Sequence, residues 1–527
     1  MGAYARPDMR GLSPHPCLWA PVAALLLALM ALAAMAASAG EAQGPLGGWL
    51  GAHMAPVMLL TLVVFLLAGY PVAFTLAGLG LGFAVIGIAL GRFRPDFLNA
   101  LPERVLDIMN SKVLIAIPFF TFMGMVLERS GLAEDLLHTM GRLFGPLRGG
   151  LGYAVIFVGM LLAAMTGVVA ASVISMGLIS LPIMLRYGYD RPLAAGVIAA
   201  SGTLAQVIPP GIVLIVLADQ LNISVIDIFA AALRPALLLA CLYALYILAV
   251  SILRPRAVPA VPALGSARQL ARDVVLAMLP PLALILLVLG SIFLGVATPT
   301  EGGAMGAGGA LLLAGFKGRL SLELLGQATQ RTARLASFAI FILIGSRVFS
   351  LTFFGVNGHK WVEGLLIALP GGVTGFLLFI NLLIFVLAFF LEFFEIAFIL
   401  VPLIASAATK LGIDLVWLAV LIGVNVQTSF MHPPFGYSLF YLRSVAPDVP
   451  YRDRVTGKMM APLTTAEIYW GAVPFVILQL VMVVAIITLP SIVARGGAPS
   501  SAAPGASQQQ RIEDLDRQFG PAELPSQ

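Results

Sequence analysis

A pair of adjacent prolines, Pro209–Pro210, interrupts an apolar run at residues 193–218 that is long enough to span a bilayer. A proline inside a helix removes a backbone donor and clashes with the preceding turn, so two in succession predict a helix that breaks at mid-membrane. A second break is predicted at Pro433–Pro434, within the apolar run at 415–440. Broken helices at that depth occur where the freed backbone is buried in protein or lines a cavity, and their carbonyls can hold a cation.

Composition places the chain in the membrane. Of its 527 residues, 60% are hydrophobic and 10% are charged, whereas soluble proteins carry about 25% charged residues. The many apolar runs of roughly 18 or more residues predict an all-α polytopic membrane protein embedded in a lipid bilayer. No basic face with interleaved aromatic residues occurs, so the sequence does not support nucleic-acid binding.

The two ends of the chain differ from its apolar middle. Residues 1–50 read as a signal peptide, or as an extra N-terminal membrane helix, followed by a linker, because a basic start precedes an apolar, alanine-rich run that ends in small residues. Residues 491–527 are rich in Ser, Ala, Gln and Pro, which predicts a disordered tail. Other helices are predicted at 56–70, 71–91, 114–127, 229–253, 275–296, 300–316, 335–354 and 467–490.

The chain also repeats itself. At an offset of 224 residues many Gly and Pro positions coincide, including Pro209 with Pro433 and Gly188 with Gly412. We therefore predict a first repeat at 53–253, a cytoplasmic loop at 254–274 and a second repeat at 275–490. Each repeat is expected to hold one re-entrant hairpin, at 150–185 and at 373–408, followed by its broken helix. The register shifts only at an insertion around Tyr451–Thr464.

Five full helices and one hairpin per repeat would insert the second repeat upside down. Basic residues test this, because Lys and Arg mark the cytoplasmic side. With the loop at 254–274 inside, the inside segments hold 17 Lys and Arg and the outside segments hold 6. Four of those six lie in the segment 92–112, which the predicted topology does not explain. Inverted repeats with broken helices are the architecture of secondary transporters.

Candidate cation ligands lie at the first hairpin tip. The hydroxyls of Thr166 and Ser172, and carbonyls freed near Gly167, are hard oxygen donors that suit Na⁺. The alternative is that both hydroxyls only donate to carbonyls of their own helices.

The second tip carries ionisable groups instead. Glu392 and Glu395 lie three residues apart in an apolar run, which would place them on one helix face. They are candidates for binding a cation or substrate, and an ion pair with Arg347 is the structural alternative. His432, directly before the second proline pair, is a candidate hydrogen-bond donor or proton relay. Its alternative role is to satisfy a backbone carbonyl. Asn425, Gln427, Thr428 and Ser429 predict a polar face that lines a cavity.

Several of these motifs together resemble the large membrane subunit of tripartite ATP-independent periplasmic (TRAP) transporters. The matching pieces, over about residues 53–490, are Ile117-Pro118-Phe119-Phe120, Gly131-Leu132-Ala133, Thr166-Gly167, Ile208-Pro209-Pro210-Gly211, Ala297-Thr298-Pro299-Thr300-Glu301 and Pro433-Pro434-Phe435-Gly436. The second tip and the run Gln427-Thr428-Ser429-Phe430 look like the mannitol/chloroaromatic branch of that family.

The resemblance implies an elevator-type, Na⁺-driven importer of a small organic acid in the bacterial inner membrane. It implies two partners: a small four-helix membrane subunit and a periplasmic substrate-binding protein. By position, the first Na⁺ site falls on Ala163, Thr166, Ala205, Ile208 and Pro210. The second falls on Ala388, Ser429, His432 and Phe435. The candidate substrate contacts are Gly167, Ser172, Glu392, Glu395, Gln427 and Thr428.

Two departures from the family pattern keep alternatives open. Val168 and Val169 stand where the family often has a Ser-rich tip, and His432 stands where it often has Thr. Proton coupling, or a different ion stoichiometry, is therefore the first alternative, and an ion or solute channel with re-entrant loops is the second. An intramembrane enzyme built on Glu392, Glu395 and His432 is disfavoured, because no nucleophile–base pair stands out. We expect a transporter and not an enzyme.

Overall fold

The computed structural model describes residues 45–262, 266–433, 436–453 and 455–493. The predicted signal peptide or first membrane helix lies almost wholly outside the described residues, as does nearly all of the predicted tail. Within the described part, seven helices are long and apolar enough to cross a membrane, or up to nine if each of two bent helix pairs counts as one span. The prediction of an all-α polytopic membrane protein is confirmed.

The chain forms two compact units, and the first comprises residues up to Leu106 together with Ile344–Trp361. Its helices are α1 (Pro45–Ala52), α2 (Met54–Leu67), α3 (Val72–Ala89) and the start of α4 (Leu101–Met109), with a 3₁₀ turn at Pro95–Ala100. The C-terminal end of a long helix from later in the chain packs on α3, where the hydroxyl of Thr352 donates to the carbonyl of Gly80 at 2.8 Å.

The second unit comprises Asp107–Leu343 and the chain from Val362 onward. Its first half contains α5 (Lys112–Arg129), α6 (Leu132–Phe144), α7 (Gly150–Thr166), α8 (Val169–Arg186), α9 (Arg191–Thr203), α10 (Ile212–Leu221) and α11 (Val225–Leu253). Then follow α12 (Ala267–Phe293), α13 (Pro299–Phe316), α14 (Leu322–Gly355, whose end belongs to the first unit) and α15 (Gly358–Ile367).

The remaining elements complete the second half. They are α16 (Gly372–Leu387), α17 (Phe393–Glu395), a π-helical turn (Ile396–Leu400), α18 (Val401–Lys410), α19 (Leu415–Ser429), α20 (Tyr437–Val445), β1 (Tyr451–Arg452), β2 (Met459–Met460) and α21 (Thr465–Thr488). The strands β1 and β2 pair antiparallel, with Tyr451 opposite Met460.

Helix boundaries recur at the offset found in the sequence. Shifting α9 by 224 residues gives 415–427, and α19 is Leu415–Ser429. The same shift places α10 on α20, and the hairpin of α7 and α8 on α16 to α18. Residues 222–224 join α10 to α11, whereas residues 446–464 join α20 to α21, so the second repeat holds the insertion. Re-entrance of the hairpins and inverted insertion stay predictions.

The insertion is anchored to the end of the first hairpin. Arg186, the last residue of α8, places its Nη2 2.9 Å from Oδ1 of Asp453. The side chain and backbone N–H of Thr456 both donate to the same carboxylate. These hydrogen bonds from Thr456, reinforced by the Arg186 guanidinium, hold the pKa of Asp453 well below its usual range. The carboxylate therefore stays ionised, and the ion pair persists into acidic solution.

Four helices were not expected from the sequence: α1, which occupies part of the predicted linker, and α4, α6 and α15. All four are short, and glycine or charged residues interrupt their apolar residues, so no continuous apolar run marks them. The predicted loop at 254–274 is also too long, because α12 already begins at Ala267. Pro182 lies inside the first hairpin, since α8 continues past it to Arg186.

The two broken helices form the core of the second unit. Every residue from Leu193 to Thr203, and every residue from Leu418 to Ser429, is buried. The sequence of α9 is rich in Ala, Gly, Ser and Thr, and small residues let helix backbones approach closely. At Gly196 the approach is so close that an added Cβ would lie 1.9 Å from the carbonyl oxygen of Gly471 in α21.

Candidate functional site

Both predicted helix breaks are present. The first broken helix consists of α9, a 3₁₀ turn at Leu204–Gln206, an irregular segment and α10. The second consists of α19, an irregular segment and α20. Each second half begins after a glycine with φ of −58°, Gly211 or Gly436. The helices run a few residues beyond the predicted limits of 218 and 440.

The first hairpin turns within two residues. Gly167 ends α7 in the left-handed conformation, with φ of 58°, and Val168 is extended. The N–H of Gly167 donates to the carbonyl of Ala163 at 3.0 Å. Glycine suits this position because residues with a Cβ are strained at positive φ.

The hydroxyls of this tip contact one another. Thr166 Oγ1 donates to the carbonyl of Leu162 at 2.8 Å and lies 3.2 Å from Ser172 Oγ. Ser172 Oγ lies 3.4 Å from the carbonyl of Val168. Local donation to helix carbonyls, the alternative role of these hydroxyls, is therefore present. It uses the single hydrogen of Thr166. Because Oγ1 also accepts the N–H of Val168 at 3.4 Å, one lone pair stays for a cation.

The first tip and the first break meet. A Cβ on Gly167 would lie 3.3 Å from the carbonyl oxygen of Pro210. Ala205 and Ile208, like Ala163 and Thr166, are buried. Within the described residues, no backbone N–H donates to the carbonyls of Ala205 and Pro210.

The buried hairpin tip and break offer backbone and hydroxyl oxygens. Such oxygens are the donors that a hard monovalent cation prefers. The five residues predicted for the first Na⁺ site therefore belong to two segments that the fold brings into contact.

The second site is described in part, because Phe435 lies outside the described residues. Ala388, Ser429 and His432 are buried. The His432 ring stacks on Phe389, with centroids 4.4 Å apart, and meets Phe385 edge-on at 4.2 Å. These contacts join the second break to the first arm of the second hairpin.

Within the described residues, the His432 ring makes no hydrogen bond: both ring nitrogens are buried and have no partner there. The backbone carbonyl of His432 accepts the N–H of Gly436 at 2.6 Å. The alternative role, in which the His432 ring satisfies a carbonyl, is therefore not seen among the described residues.

Glu392 and Glu395 do not share one helix face, because Glu392 precedes α17 and caps it. The N–H of Glu392 donates to Oε2 of Glu395 at 2.9 Å. The hydroxyl of Tyr437, at the start of α20, lies beside the carboxylate of Glu392. The second tip is therefore joined to the second half of its broken helix. Arg347, the predicted ion-pair partner, belongs to the first unit.

The polar residues of α19 form hydrogen bonds within the protein. Thr428 and Ser429 each donate to the carbonyl three residues earlier, at 2.6 Å. Gln427 donates its amide to Thr203 at 3.0 Å. These side chains are at most 3% exposed, so they face the interior of the protein.

Among the buried polar residues that were not expected from the sequence are Gln206, Tyr243 and Gln479. The side-chain oxygens of Gln206 and Gln479 have no partner in the described residues. The signal was present, since a glutamine in an apolar helix is costly unless it is hydrogen-bonded or functional.

Comparison with known proteins identifies the family. Residues 59–492 match the family described as tripartite ATP-independent periplasmic transporter, DctM component. The chain is 29% identical over 404 residues to the C4-dicarboxylate TRAP transporter large permease protein DctM of Pseudomonas aeruginosa, covering 75% of this chain and 90% of that one. It is 27% identical over 443 residues to the ectoine/5-hydroxyectoine large permease UehC of Ruegeria pomeroyi, covering 83% and 97%.

Two further similarities agree with these. The sialic acid TRAP transporter permease SiaT of Haemophilus influenzae is 25% identical over 452 residues, or 84% of this chain and 68% of that one. Among solved structures, the Alcanivorax borkumensis YdaH transporter matches with a TM-score of 0.53 and 14% identity, over 74% of this chain and 87% of that one. At that identity the match shows the fold alone.

Proposed function

Because the chain belongs to the DctM component family of TRAP transporters, we propose that it is the large transmembrane subunit of a Na⁺-coupled importer. Its cargo would be a small organic acid that crosses the bacterial inner membrane. A periplasmic binding protein would deliver the acid, and a small four-helix membrane subunit would complete the transporter. The named relatives transport a C4-dicarboxylate, sialic acid or ectoine, so the identity of the acid does not follow from the family.

One observation carries the proposal: each hairpin tip contacts the break in the broken helix of its own repeat. Gly167 lies against Pro210, and Phe385 and Phe389 pack on His432. A cation bound by oxygens of both segments would hold tip and break together. Because the carbonyls of Ala205 and Pro210 accept from no backbone N–H of the described residues, bound Na⁺ would replace missing partners instead of competing with existing ones.

Na⁺ coupling then follows from differential stability. With the ion bound, a hairpin tip is fixed against its break, and the substrate-binding geometry is complete. Without the ion, mutual repulsion between the carbonyl dipoles of tip and break loosens the tip. Substrate and Na⁺ thus stabilise the same arrangement, and each raises the affinity for the other.

The proposed transport step is an elevator movement. The hairpins and broken helices would move across the membrane as one body, carrying ions and substrate past the remaining helices. The continuous burial of α9 and α19 supports this division, because a body that moves as a whole requires its own packed core.

Uptake into proteoliposomes tests the proposal. The complete transporter with its binding protein is expected to accumulate substrate only when Na⁺ is high outside. Thr166→Val keeps the size of the side chain but removes a predicted ligand, and should raise the Na⁺ concentration for half-maximal uptake by about tenfold. Thr332→Val is the matched control, because its buried hydroxyl has no partner in the described residues.

Na⁺-independent uptake would contradict Na⁺ coupling, and wild-type Na⁺ dependence in Thr166→Val would remove that residue from the site. Flux that needs no binding protein and does not saturate would instead indicate a channel. Proton coupling is the second candidate, favoured by the buried Glu395 and the contact between Glu392 and Tyr437 at the second tip. Proton coupling predicts that a pH gradient with the acidic side outside drives uptake without Na⁺.

A further inference from the structure

The two broken helices touch at equivalent positions of the repeat. Thr203 and Gln427 are separated by the repeat offset of 224 residues, and Gln427 Nε2 donates to Thr203 Oγ1 at 3.0 Å. Contact between a residue and its own counterpart is the arrangement expected close to a two-fold axis that relates two halves. The pair therefore marks the point at which α9 and α19 meet.

The hydrogen bonds at this point have a defined direction. The hydroxyl of Thr203 donates to the carbonyl of Ala200 at 2.8 Å, so its oxygen can only accept from Gln427. The hydroxyl of Tyr243 also lies within hydrogen-bonding reach of Thr203. Tyr243 in turn accepts from Nε2 of Gln479 at 2.9 Å. We call Thr203, Tyr243, Gln427 and Gln479 the crossing network.

The crossing network joins four helices in a fully buried place. Its side chains come from α9, α11, α19 and α21, and all four are 0% exposed. A buried polar group that loses its hydrogen bond pays its full desolvation cost, so the four helices resist moving apart at this point. The network therefore transmits a displacement of one broken helix to the other.

Each half of the network is close to a predicted cation site. Thr203 lies two residues before Ala205, and Gln427 lies two residues before Ser429. We propose that the crossing network couples the two Na⁺ sites, so that binding at one break raises the affinity at the other. Its members are positioning residues, because they act on the ions through the backbone of the breaks. The inference rests on the proposed Na⁺ coupling.

The test uses the complete transporter in proteoliposomes and follows the Na⁺ dependence of uptake. The wild type is expected to show a Hill coefficient near 2. Thr203→Val and Gln427→Met each remove one polar partner, and each should lower the coefficient toward 1 and weaken the apparent Na⁺ affinity by about tenfold. Thr203→Ser retains the hydroxyl and should keep the Na⁺ dependence cooperative. The double variant should resemble the single ones, because both remove the same interaction.

Ser201→Ala is the matched control. Ser201 is fully buried in the same helix, and its hydroxyl has no partner in the described residues. Cooperativity should survive this change. If Thr203→Val does not fold, Tyr243→Phe removes one hydroxyl from the network at nearly constant volume and should lower the Hill coefficient in the same way.

The outcomes separate the two proposals. Wild-type uptake that ignores Na⁺ would contradict the proposed function and remove the basis for coupled sites. Wild-type uptake that requires Na⁺ with a Hill coefficient near 1 would overturn the network's role alone. The network's role is also overturned if the variants remain cooperative, or if Ser201→Ala loses cooperativity as they do.

Discussion

Replacing Gly196 with alanine would force apart a very closely packed helix crossing in the second unit. An added Cβ at Gly196 would lie 1.9 Å from the carbonyl oxygen of Gly471, and one at Gly471 would lie 1.9 Å from the carbonyl oxygen of Pro192. Ordinary van der Waals contact begins at 3.4 Å. Helices α9 and α21 would therefore have to separate by about 1.5 Å, because a backbone oxygen cannot rotate away as a side chain can.

The cost of this separation is at the upper end for overpacking, about 3 kcal/mol. Unfolding entropy is about 2 cal/mol/K per residue, so 3 kcal/mol lowers the Tm of a chain this long by about 3 °C. Gly308→Ala is the matched control. It also adds one methyl group to a helix, but nothing lies within 4 Å of its position, and alanine favours helix there by about 1 kcal/mol.

Thermal denaturation of the purified variants in the same detergent measures the difference. Gly196→Ala should melt below the wild type, and Gly308→Ala at or above it. If the two variants melt together, the close approach of α9 and α21 does not exist, and the packing of the first broken helix must be reconsidered.

Three further outcomes are expected from thermal denaturation. Asp453→Asn should destabilise the protein equally from neutral pH down to about pH 5. Because Thr456 holds the folded-state pKa of Asp453 below its unfolded value of 3.8, the difference in stability from wild type should shrink only as the pH falls below about 4. A difference that grows in acid would contradict this. His432→Phe should melt close to the wild type, since no ring hydrogen bond is lost, whereas His432→Ala should cost about 3 kcal/mol; a large loss in His432→Phe would reveal a ring partner. Thr298→Ala should cost about 1 kcal/mol by removing the capping box with Glu301, and Thr298→Ser should not.

The helix breaks could be predicted because their cause is local. A proline has no N–H, and this holds in any environment, so Pro209 located the first break before any contact was known. The helix predicted at 300–316 likewise begins at a local signal, because the capping box of Thr298 and Glu301 depends on a spacing of three residues. The amphipathic helices α6 and α15 escaped detection because their apolar residues are interrupted by charged ones. Their signal is a weak periodicity and not an apolar run.

Candidate sites could be predicted only as separate segments. The first tip and first break are about 40 residues apart, and the approach of Gly167 to Pro210 depends on how α7 to α10 pack. The two carboxylates were expected on one helix face, but a turn of helix begins between them. That start is decided by contacts such as the one between Glu392 and Tyr437, which the local sequence does not contain.

The sequence by itself determined the membrane class, the repeat and the position of both breaks, since these follow from apolar length, periodicity and the missing proline N–H. Only the tertiary structure decided that Thr203 meets Gln427. A hydrogen bond forms between atoms about 3 Å apart, and residues 224 positions apart reach that distance only after the helices between them have packed.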